Sequence, residues 1–301
     1  MNKTKTLQAP AFLAHDAQKV SQYIQTQLDE RQARVPQRLL DAMSYALLAG
    51  GKRVRPALLL ACFRACGGTD EQIAMQAAAS VECLHTYSLI HDDLPCMDDD
   101  DLRRGQPTCH KKFDGATAVL AGDALQTLAF EYLATLPVSS DIALHVMQKL
   151  AIAAGDCGMV GGQMMDMEAE EHTVGNVLEV ERIHIHKTGA LIRYSCEAGA
   201  ILAGATDVQQ HACVRYGEAV GLLFQIADDI LDATAESSVL GKSAGKDAAQ
   251  HKATYVSLEG LNGARTMAEN MHDVAVQAVQ PLGNQGQDLV VLAHYIMGRE
   301  Q

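Results

Sequence analysis

The sequence is poor in the residues that build β-sheets and in segments that could cross a membrane. Its 301 residues include no Trp, five Phe and eight Tyr, so the aromatic content is only 4%. No alternating Val, Ile and Thr run has the length of a strand. Proline is rare, with seven residues, whereas the abundant Ala, Leu, Met and Gln favour helices. No apolar run approaches the roughly 20 residues that span a bilayer.

Basic residues are outnumbered, with 24 Lys and Arg against 37 Asp and Glu, which gives a net charge of −13. This charge argues against nucleic acid and against an anionic membrane surface as partners. An anionic substrate stays compatible if metal ions bridge it to the protein. The eight cysteines contain no CxxC pair, which is typical of small core residues in a cytosolic protein. Residues 1–11 have no apolar core of a signal peptide, so we expect a cytoplasmic location.

Helical spacing of apolar residues recurs along nearly the whole chain. Lys187-Thr188-Gly189 predicts a kink inside a helix, and most glycines are expected at helix ends. We find no linker and no short repeat, so residues 1–301 are predicted to form one all-α domain, a helical bundle around a central apolar cavity. The predicted helices are 12–34, a helix through 39–47 that Gly50-Gly51 ends, 57–65, 71–93, 116–136, 140–155, 176–204 and 208–233, with two or three more from about 254.

Two acidic clusters follow strongly apolar segments. Residues 92–101 include six aspartates, and residues 224–232 contain a smaller copy. Carboxylates this close raise one another's pKa unless a cation joins them, and Mg²⁺ takes carboxylate, water and phosphate oxygens. Asp228 and Asp232 are four positions apart, hence on one helix face. The alternative for the first cluster is a solvated loop.

Pro95 predicts how the first cluster folds. Proline disfavours the α-conformation at Leu94, so a helix that carries Asp92 should end or bend there. Asp98 can then fold back beside Asp92, although six residues along a straight helix would place it about 120° away around the axis.

Cationic and polar candidates lie at separate places in the chain. The stretch with Gly51, Lys52 and Arg55 suits a phosphate clamp, and its alternative is a basic helix cap. Arg103 and Arg104 follow the aspartates directly, where local charge balance is the alternative. Weaker candidates, each with an ordinary structural alternative, are His85, Lys187, Thr188, Gln225, Lys242 and Lys252. Together these features describe a pocket for two phosphorylated molecules, one bound through metal ions and the other by cationic side chains alone.

Six stretches carry a family resemblance in order along nearly the whole chain. They are GGKRVRP (50–56), HTYSLIHDDLPCMDDDDLRRGQPTCH (85–110), GGQMMDM (161–167), HKTGALI (186–192), FQIADDILD (224–232), and LGK, GKD and HKATY within 240–255. On these motifs the chain resembles the trans-prenyltransferases, and most of all the bacterial farnesyl diphosphate synthases.

The resemblance implies an isoprenoid synthase fold, a homodimer, diphosphate substrates and three Mg²⁺ ions per active site. It implies that Asp92, Asp98 and Asp228 hold Mg²⁺ on an allylic diphosphate, with Asp93 and Asp232 in support. The residues implied to contact that diphosphate are Arg103, Lys187, Lys242 and Lys252. Those implied to hold isopentenyl diphosphate are Gly51, Lys52, Arg55, His85 and Arg104. Lys187, Thr188 and Gln225 are implied to lie near the allylic carbon.

Tyr87 predicts the product length. It lies five residues before Asp92, roughly 7–8 Å down a helix at 1.5 Å per residue, where a ring would block a growing tail. With the inserted Pro95 and Cys96, this matches the bacterial farnesyl pattern and predicts a fifteen-carbon product. Geranyl and geranylgeranyl diphosphate synthases of the same family are the alternatives.

Three other kinds of protein fit the sequence less well. A class I terpene cyclase has Asn/Ser/Glu spacing in its second metal motif and needs no second diphosphate clamp. A non-catalytic partner subunit of a prenyltransferase would be expected to have lost the aspartates. An acidic ion-binding protein would leave the basic stretches unexplained.

Overall fold

The part of the chain that the structure describes is almost entirely helical, which confirms the predicted all-α class. The structure is a computed structural model, and it describes residues 9–170, 175–239 and 253–298. Strands β1 (Leu102–Arg103) and β2 (Gln106–Pro107) pair as a short antiparallel hairpin. A π-helix spans Ile185–Gly189 and a 3₁₀-helix spans Gln280–Gly286. The α-helices are α1 (Ala11–Asp29), α2 (Gln37–Leu47), α3 (Val54–Ala65), α4 (Glu71–Asp92), α5 (Cys109–Lys112), α6 (Gly115–Ala134), α7 (Ser140–Ala154), α8 (Met159–Glu170), α9 (Val177–His184), α10 (Ala190–Leu202), α11 (Asp207–Val239), α12 (Tyr255–Ala278) and α13 (Gln287–Met297).

Helix α4 begins and ends where its sequence predicts. The side chain of Asp70 accepts a hydrogen bond from the backbone N–H of Gln72, which satisfies a free donor of the first turn. The helix ends at Asp92, three residues before Pro95, because the residue before a proline avoids helical conformation. The helix therefore delivers the first acidic cluster at its C-terminus.

Helix α3 joins the two halves of the core. Leu59 packs in a cluster with α4 and α6 that includes Leu84. Leu58 packs in a second cluster with Ile192 of α10 and Ile226 of α11. All five side chains are at most 1% exposed. Helix α3 begins within the basic GGKRVRP stretch, α4 ends at the first acidic cluster and α11 carries the second. This packing therefore brings the three motifs to neighbouring helices.

The region predicted as one helix over 176–204 consists of three segments. Helix α9 runs into the π-helix and then into α10, and the π-helix covers Lys187-Thr188-Gly189, where the sequence predicts a kink. Many glycines lie at helix ends, as expected, but close helix packing also requires glycine inside helices. Gly162 lies within α8, where an added Cβ would sit 2.1 Å from the backbone nitrogen of Lys187. This contact lets α8 pack directly on the π-helix.

The segment predicted as a loop over 94–115 also contains regular structure, namely the β1–β2 hairpin and the one-turn helix α5. These pieces are too short to leave a periodic pattern in the sequence. Among the described residues, no helix combines the length and the apolar character needed to cross a membrane.

Candidate active site

The first acidic cluster folds back onto the end of α4. The backbone N–H of Asp98 donates to the carbonyl oxygen of Asp92 at 2.9 Å, and that of Met97 donates to Leu94 at 2.8 Å. The return of Asp98 to Asp92, predicted from Pro95, is therefore confirmed. Asp92 is half-buried and Asp98 is exposed, so two carboxylates stand at one end of the helix.

The carboxylate of Asp92 lies in an environment that disfavours its charge. Burial raises its pKa to about 6, with a further upward effect of Asp98 and Asp93, against the opposing effect of Lys187 and Arg103. A carboxylate in this position is stabilised by a bound cation. The effect of Lys187 on Asp92 also shows that the π-helix lies near the C-terminus of α4.

Asp93 faces inward and fixes a guanidinium group. Nε of Arg103 donates to both carboxylate oxygens of Asp93, at 2.7 and 3.0 Å, and Nη2 lies 2.5 Å from Oδ1. Asp93 is 3% exposed, so this charge-assisted pair holds Arg103 in one orientation. The structure therefore gives Asp93 a positioning contact with Arg103.

The predicted isopentenyl diphosphate residues lie together around one cavity of about 570 Å³. Arg104 donates to the carbonyl oxygen of Gly50. Its guanidinium carbon would lie 2.7 Å from a Cβ at Gly51, whose φ is +121°. Only glycine combines that backbone conformation with so close an approach. All five predicted residues line the cavity: Gly51, Lys52, Arg55, His85 and Arg104.

Several cationic groups crowd this cavity. Nη1 of Arg55 lies 3.3 Å from Nε2 of His85. Burial lowers the pKa of His85 well below its usual value, and the charges of Arg55, Arg104, Arg53 and Arg103 act in the same direction. Burial also lowers the pKa of Arg55 and of Arg104. A bound anion would relieve this unfavourable concentration of positive charge.

Arg53 has a different role from its basic neighbours. It adopts a left-handed backbone conformation with φ of 48°, and its side chain is 1% exposed. Its guanidinium group pairs with Glu82 of α4 and donates to the carbonyl oxygen of Leu47. A buried charge needs such partners. Arg53 lines the cavity together with the residues on either side of it, but its two buried contacts also anchor the start of α3.

The π-helix and α11 bring a second group of predicted residues together. The hydroxyl of Thr188 donates to the side-chain oxygen of Gln225 at 3.0 Å. Nζ of Lys187 donates to Oδ2 of Asp166 at 2.5 Å, and Asp166 is 6% exposed. No role is predicted for Asp166 from the sequence, although its place in the GGQMMDM stretch is a signal. A buried acid on an apolar helix needs a cationic partner, and Lys187 is that partner.

The second acidic cluster lies within α11. Asp228 is half-buried and Asp232 is exposed. Asp228 raises the pKa of Arg55 against the lowering effect of burial, so this cluster lies near the cationic cavity. Asp229 has a structural contact that the sequence did not reveal, because its Oδ2 accepts from the backbone N–H of Tyr255 at 2.9 Å. Asp229 thereby ties the start of α12 to α11.

Tyr87 is 5% exposed and packs edge-on against His91, with ring centroids 5.6 Å apart. Burial raises the pKa of Tyr87, and Asp92 raises it as well. The tyrosine is therefore buried close to the first acidic cluster. The predicted diphosphate contacts Lys242 and Lys252 lie outside the described residues.

The acidic residues fit a divalent ion that binds together with its ligand. Among the described residues, no three His, Cys, Asp or Glu side chains converge so as to hold a metal ion by themselves. Mg²⁺ is suited to such a site, because one or two carboxylates suffice when waters and substrate phosphate complete its shell. The return of Asp98 to Asp92, and the raised pKa of Asp92, agree with this kind of binding.

Known proteins resemble this chain over most of its length. The model of the family described as "Polyprenyl synthetase" matches residues 36–281. The chain belongs to the polyprenyl synthetase family. The farnesyl diphosphate synthase of Escherichia coli (strain K12) is 47% identical over 271 residues, which cover 87% of this chain and 90% of that protein. The chloroplastic geranylgeranyl pyrophosphate synthase of Catharanthus roseus is 46% identical over 270 residues, which cover 89% and 75%.

The fold of this polyprenyl synthetase is also that of solved relatives. The apo structure of an FPP/GFPP synthase from Zymomonas mobilis matches with a TM-score of 0.84 at 42% identity, covering 94% of this chain and 98% of the other. The protein is therefore a prenyltransferase with the all-α isoprenyl synthase fold. The two sequence relatives carry different product names at nearly equal identity, so product length must be argued from the site.

Proposed function

We propose that this prenyltransferase condenses isopentenyl diphosphate with dimethylallyl diphosphate and then with geranyl diphosphate, to give (2E,6E)-farnesyl diphosphate. The observation that carries the proposal is the cationic cavity beside the acidic clusters. Five cavity residues come from three separate segments, and Asp228 acts electrostatically on one of them, Arg55. Two neighbouring sites of opposite charge suit two diphosphates, one bound with metal ions and one without.

The allylic diphosphate would bind at the acidic clusters. Asp92, Asp98, Asp228 and Asp232 would hold Mg²⁺, with three ions per site. When bound, Mg²⁺ supplies positive charge that stabilises the leaving diphosphate. Arg103 and Lys187 add cations in fixed positions, because Asp93 holds the first and Asp166 the second. Such preorganised charge stabilises a transition state without reorganisation during the reaction. Lys242 and Lys252 are proposed to contact the same group.

The reaction proceeds through an allylic cation. The carbon–oxygen bond of the allylic diphosphate breaks, the double bond of isopentenyl diphosphate attacks the cationic carbon, and a proton passes to the released diphosphate. The Thr188 carbonyl and Gln225 amide oxygens face the cation as neutral acceptors. The hydrogen bond between the Thr188 and Gln225 side chains fixes these groups. Water must be excluded, because it would capture the cation.

Product length would be set by Tyr87, whose buried ring near Asp92 stops a tail at fifteen carbons. A geranylgeranyl product is the second candidate, because the Catharanthus roseus synthase of that product is 46% identical. Tyr87 favours the shorter product, since a longer tail would have to displace the ring.

We also propose a homodimer, a single domain and a cytoplasmic location. Helices α6 and α7 support the homodimer, because they expose Leu120 by 58%, Leu144 by 66% and Ile152 by 52%. Exposed apolar side chains grouped on neighbouring helices are typical of an interface. Size-exclusion chromatography with light scattering tests this point.

One incubation tests the proposed function. The protein is mixed with Mg²⁺, isopentenyl diphosphate and either dimethylallyl or geranyl diphosphate, and the products are separated by chain length. We expect fifteen carbons from both primers and no product after chelation of Mg²⁺. Twenty carbons would favour the second candidate. Release of a cyclic hydrocarbon would contradict the proposal, as would complete lack of turnover.

A further inference from the structure

Two histidines join α12 to α13 in a contact that the prenyl transfer does not use. Nε2 of His272 lies 2.8 Å from Nδ1 of His294, with the ring centroids 4.7 Å apart. The other ring nitrogen of His272, Nδ1, lies 3.1 Å from Oδ1 of Asp273. The imidazole of His272 is thus held between a carboxylate on one side and a second imidazole on the other.

This arrangement has the chemistry of a transition-metal site. A ligating histidine presents one nitrogen to the ion and donates its other N–H to a carboxylate, which fixes the tautomer and raises the basicity of the ligand. Bonds from Zn²⁺ to histidine nitrogen are about 2.0–2.1 Å, so two nitrogens on one ion lie roughly 2.9–3.4 Å apart for octahedral to tetrahedral geometry. The observed separation of 2.8 Å, that of a hydrogen bond between the two rings, lies just below that range.

We propose that His272 and His294 chelate a divalent late first-row transition-metal ion, of the Zn²⁺, Ni²⁺ and Cu²⁺ class, with Asp273 positioning His272. Water completes the shell, because no third ligating side chain converges there among the described residues. His294 is exposed and His272 half-buried, so an ion reaches the pair from solvent. Imidazole ligands bind these ions in preference to Mg²⁺. The histidine pair and the acidic clusters should therefore bind different metal ions.

The bound ion would link α12 to α13 close to the cationic cavity. His294 precedes Tyr295, whose ring centroid lies 5.9 Å from Nζ of Lys52. An ion that binds only when α12 and α13 are packed together stabilises the folded chain by mass action. The proposal does not depend on the proposed function, since a chain without prenyltransferase activity would bind the ion equally well.

Calorimetric titration with NiCl₂, in excess MgCl₂ and under reducing conditions, tests the proposal. We expect one Ni²⁺ per chain, with affinity at least tenfold weaker in His272→Gln and in His294→Gln. The exposed His145 on α7 provides the control, because His145→Gln should bind like the wild type. Asp273→Asn should weaken binding about tenfold through the lost carboxylate contact. Ni²⁺ should raise the melting temperature of the wild type and of His145→Gln, but not of the two ligand variants.

Equal Ni²⁺ affinity in the wild type and in both ligand variants would overturn the proposal. Equal weakening in His145→Gln would do so as well, because it would indicate adventitious binding to surface histidines. Circular dichroism checks that each variant is folded. Electron paramagnetic resonance of Cu²⁺ on the wild-type chain needs no variant. Hyperfine coupling to two imidazole nitrogens is expected, and coordination by oxygen alone would contradict the site.

Discussion

Replacing Tyr87 by alanine should lengthen the product from fifteen to twenty carbons. The ring is 5% exposed and lies five residues before Asp92, roughly 7–8 Å along α4. Its removal opens space for one more five-carbon unit. Burial is worth about 0.8 kcal/mol per CH₂ group, so the longer tail gains up to about 4 kcal/mol. With isopentenyl diphosphate in excess, the twenty-carbon product should therefore dominate when chain lengths are separated by chromatography.

The same substitution also costs stability, which the experiment must separate from product length. Truncating a buried aromatic side chain to alanine destabilises a fold by about 3–5 kcal/mol. Tyr132→Ala is a matched control, because Tyr132 is 3% exposed in the same core but lies on α6. It should lose similar stability and still make fifteen carbons. Tyr87→Phe, which keeps the ring, should also make fifteen. A fifteen-carbon product from folded Tyr87→Ala would refute the proposed floor.

Three further substitutions test the cationic groups. Asp166→Asn removes the charged partner of Lys187. Since such hydrogen bonds are worth about 1.5–3 kcal/mol, kcat should fall roughly 10- to 100-fold, while the KM for isopentenyl diphosphate should not change. An unchanged kcat would contradict the positioning role of Asp166. Gly51→Ala should raise that KM at least about tenfold, whereas Gly67→Ala, also at positive φ but with open space around it, should only lower stability. His85→Gln should change the pH dependence of unfolding. Because the folded pKa of His85 lies below the unfolded value of about 6.5, the wild type loses up to about 1.4 kcal/mol per pH unit as pH falls below 6.5. Denaturant titrations should show this slope reduced in His85→Gln, and parallel curves would contradict the depressed pKa.

Local signals in the sequence predicted the parts of the site that depend on local geometry. Pro95 was sufficient to predict that α4 ends near Asp92 and that Asp98 returns to it. These predictions succeeded because proline, glycine and helical spacing restrict the backbone within a few residues.

Contacts between distant segments were not predictable in the same way. Arg53 and Arg55 belong to one basic stretch, yet a left-handed backbone at Arg53 turns its side chain to Glu82 of α4. Asp229 lies in the second acidic cluster, but its carboxylate accepts from the backbone N–H of Tyr255 at the start of α12. Such pairings depend on how helices pack, and the periodicity of one segment carries no information about its partner.

The direct test of the central claim is the rate at which geranyl and isopentenyl diphosphate condense in the presence of Mg²⁺. Asp92→Ala and Asp228→Ala should each slow the reaction by about three orders of magnitude or more, because charge stabilisation of the leaving group is the main catalytic effect. Asp99→Asn, in the same loop at a positive φ of 50° that asparagine tolerates, should react at close to the wild-type rate. Folded Asp92→Ala and Asp228→Ala enzymes that retain more than about a tenth of that rate would contradict the two-cluster mechanism.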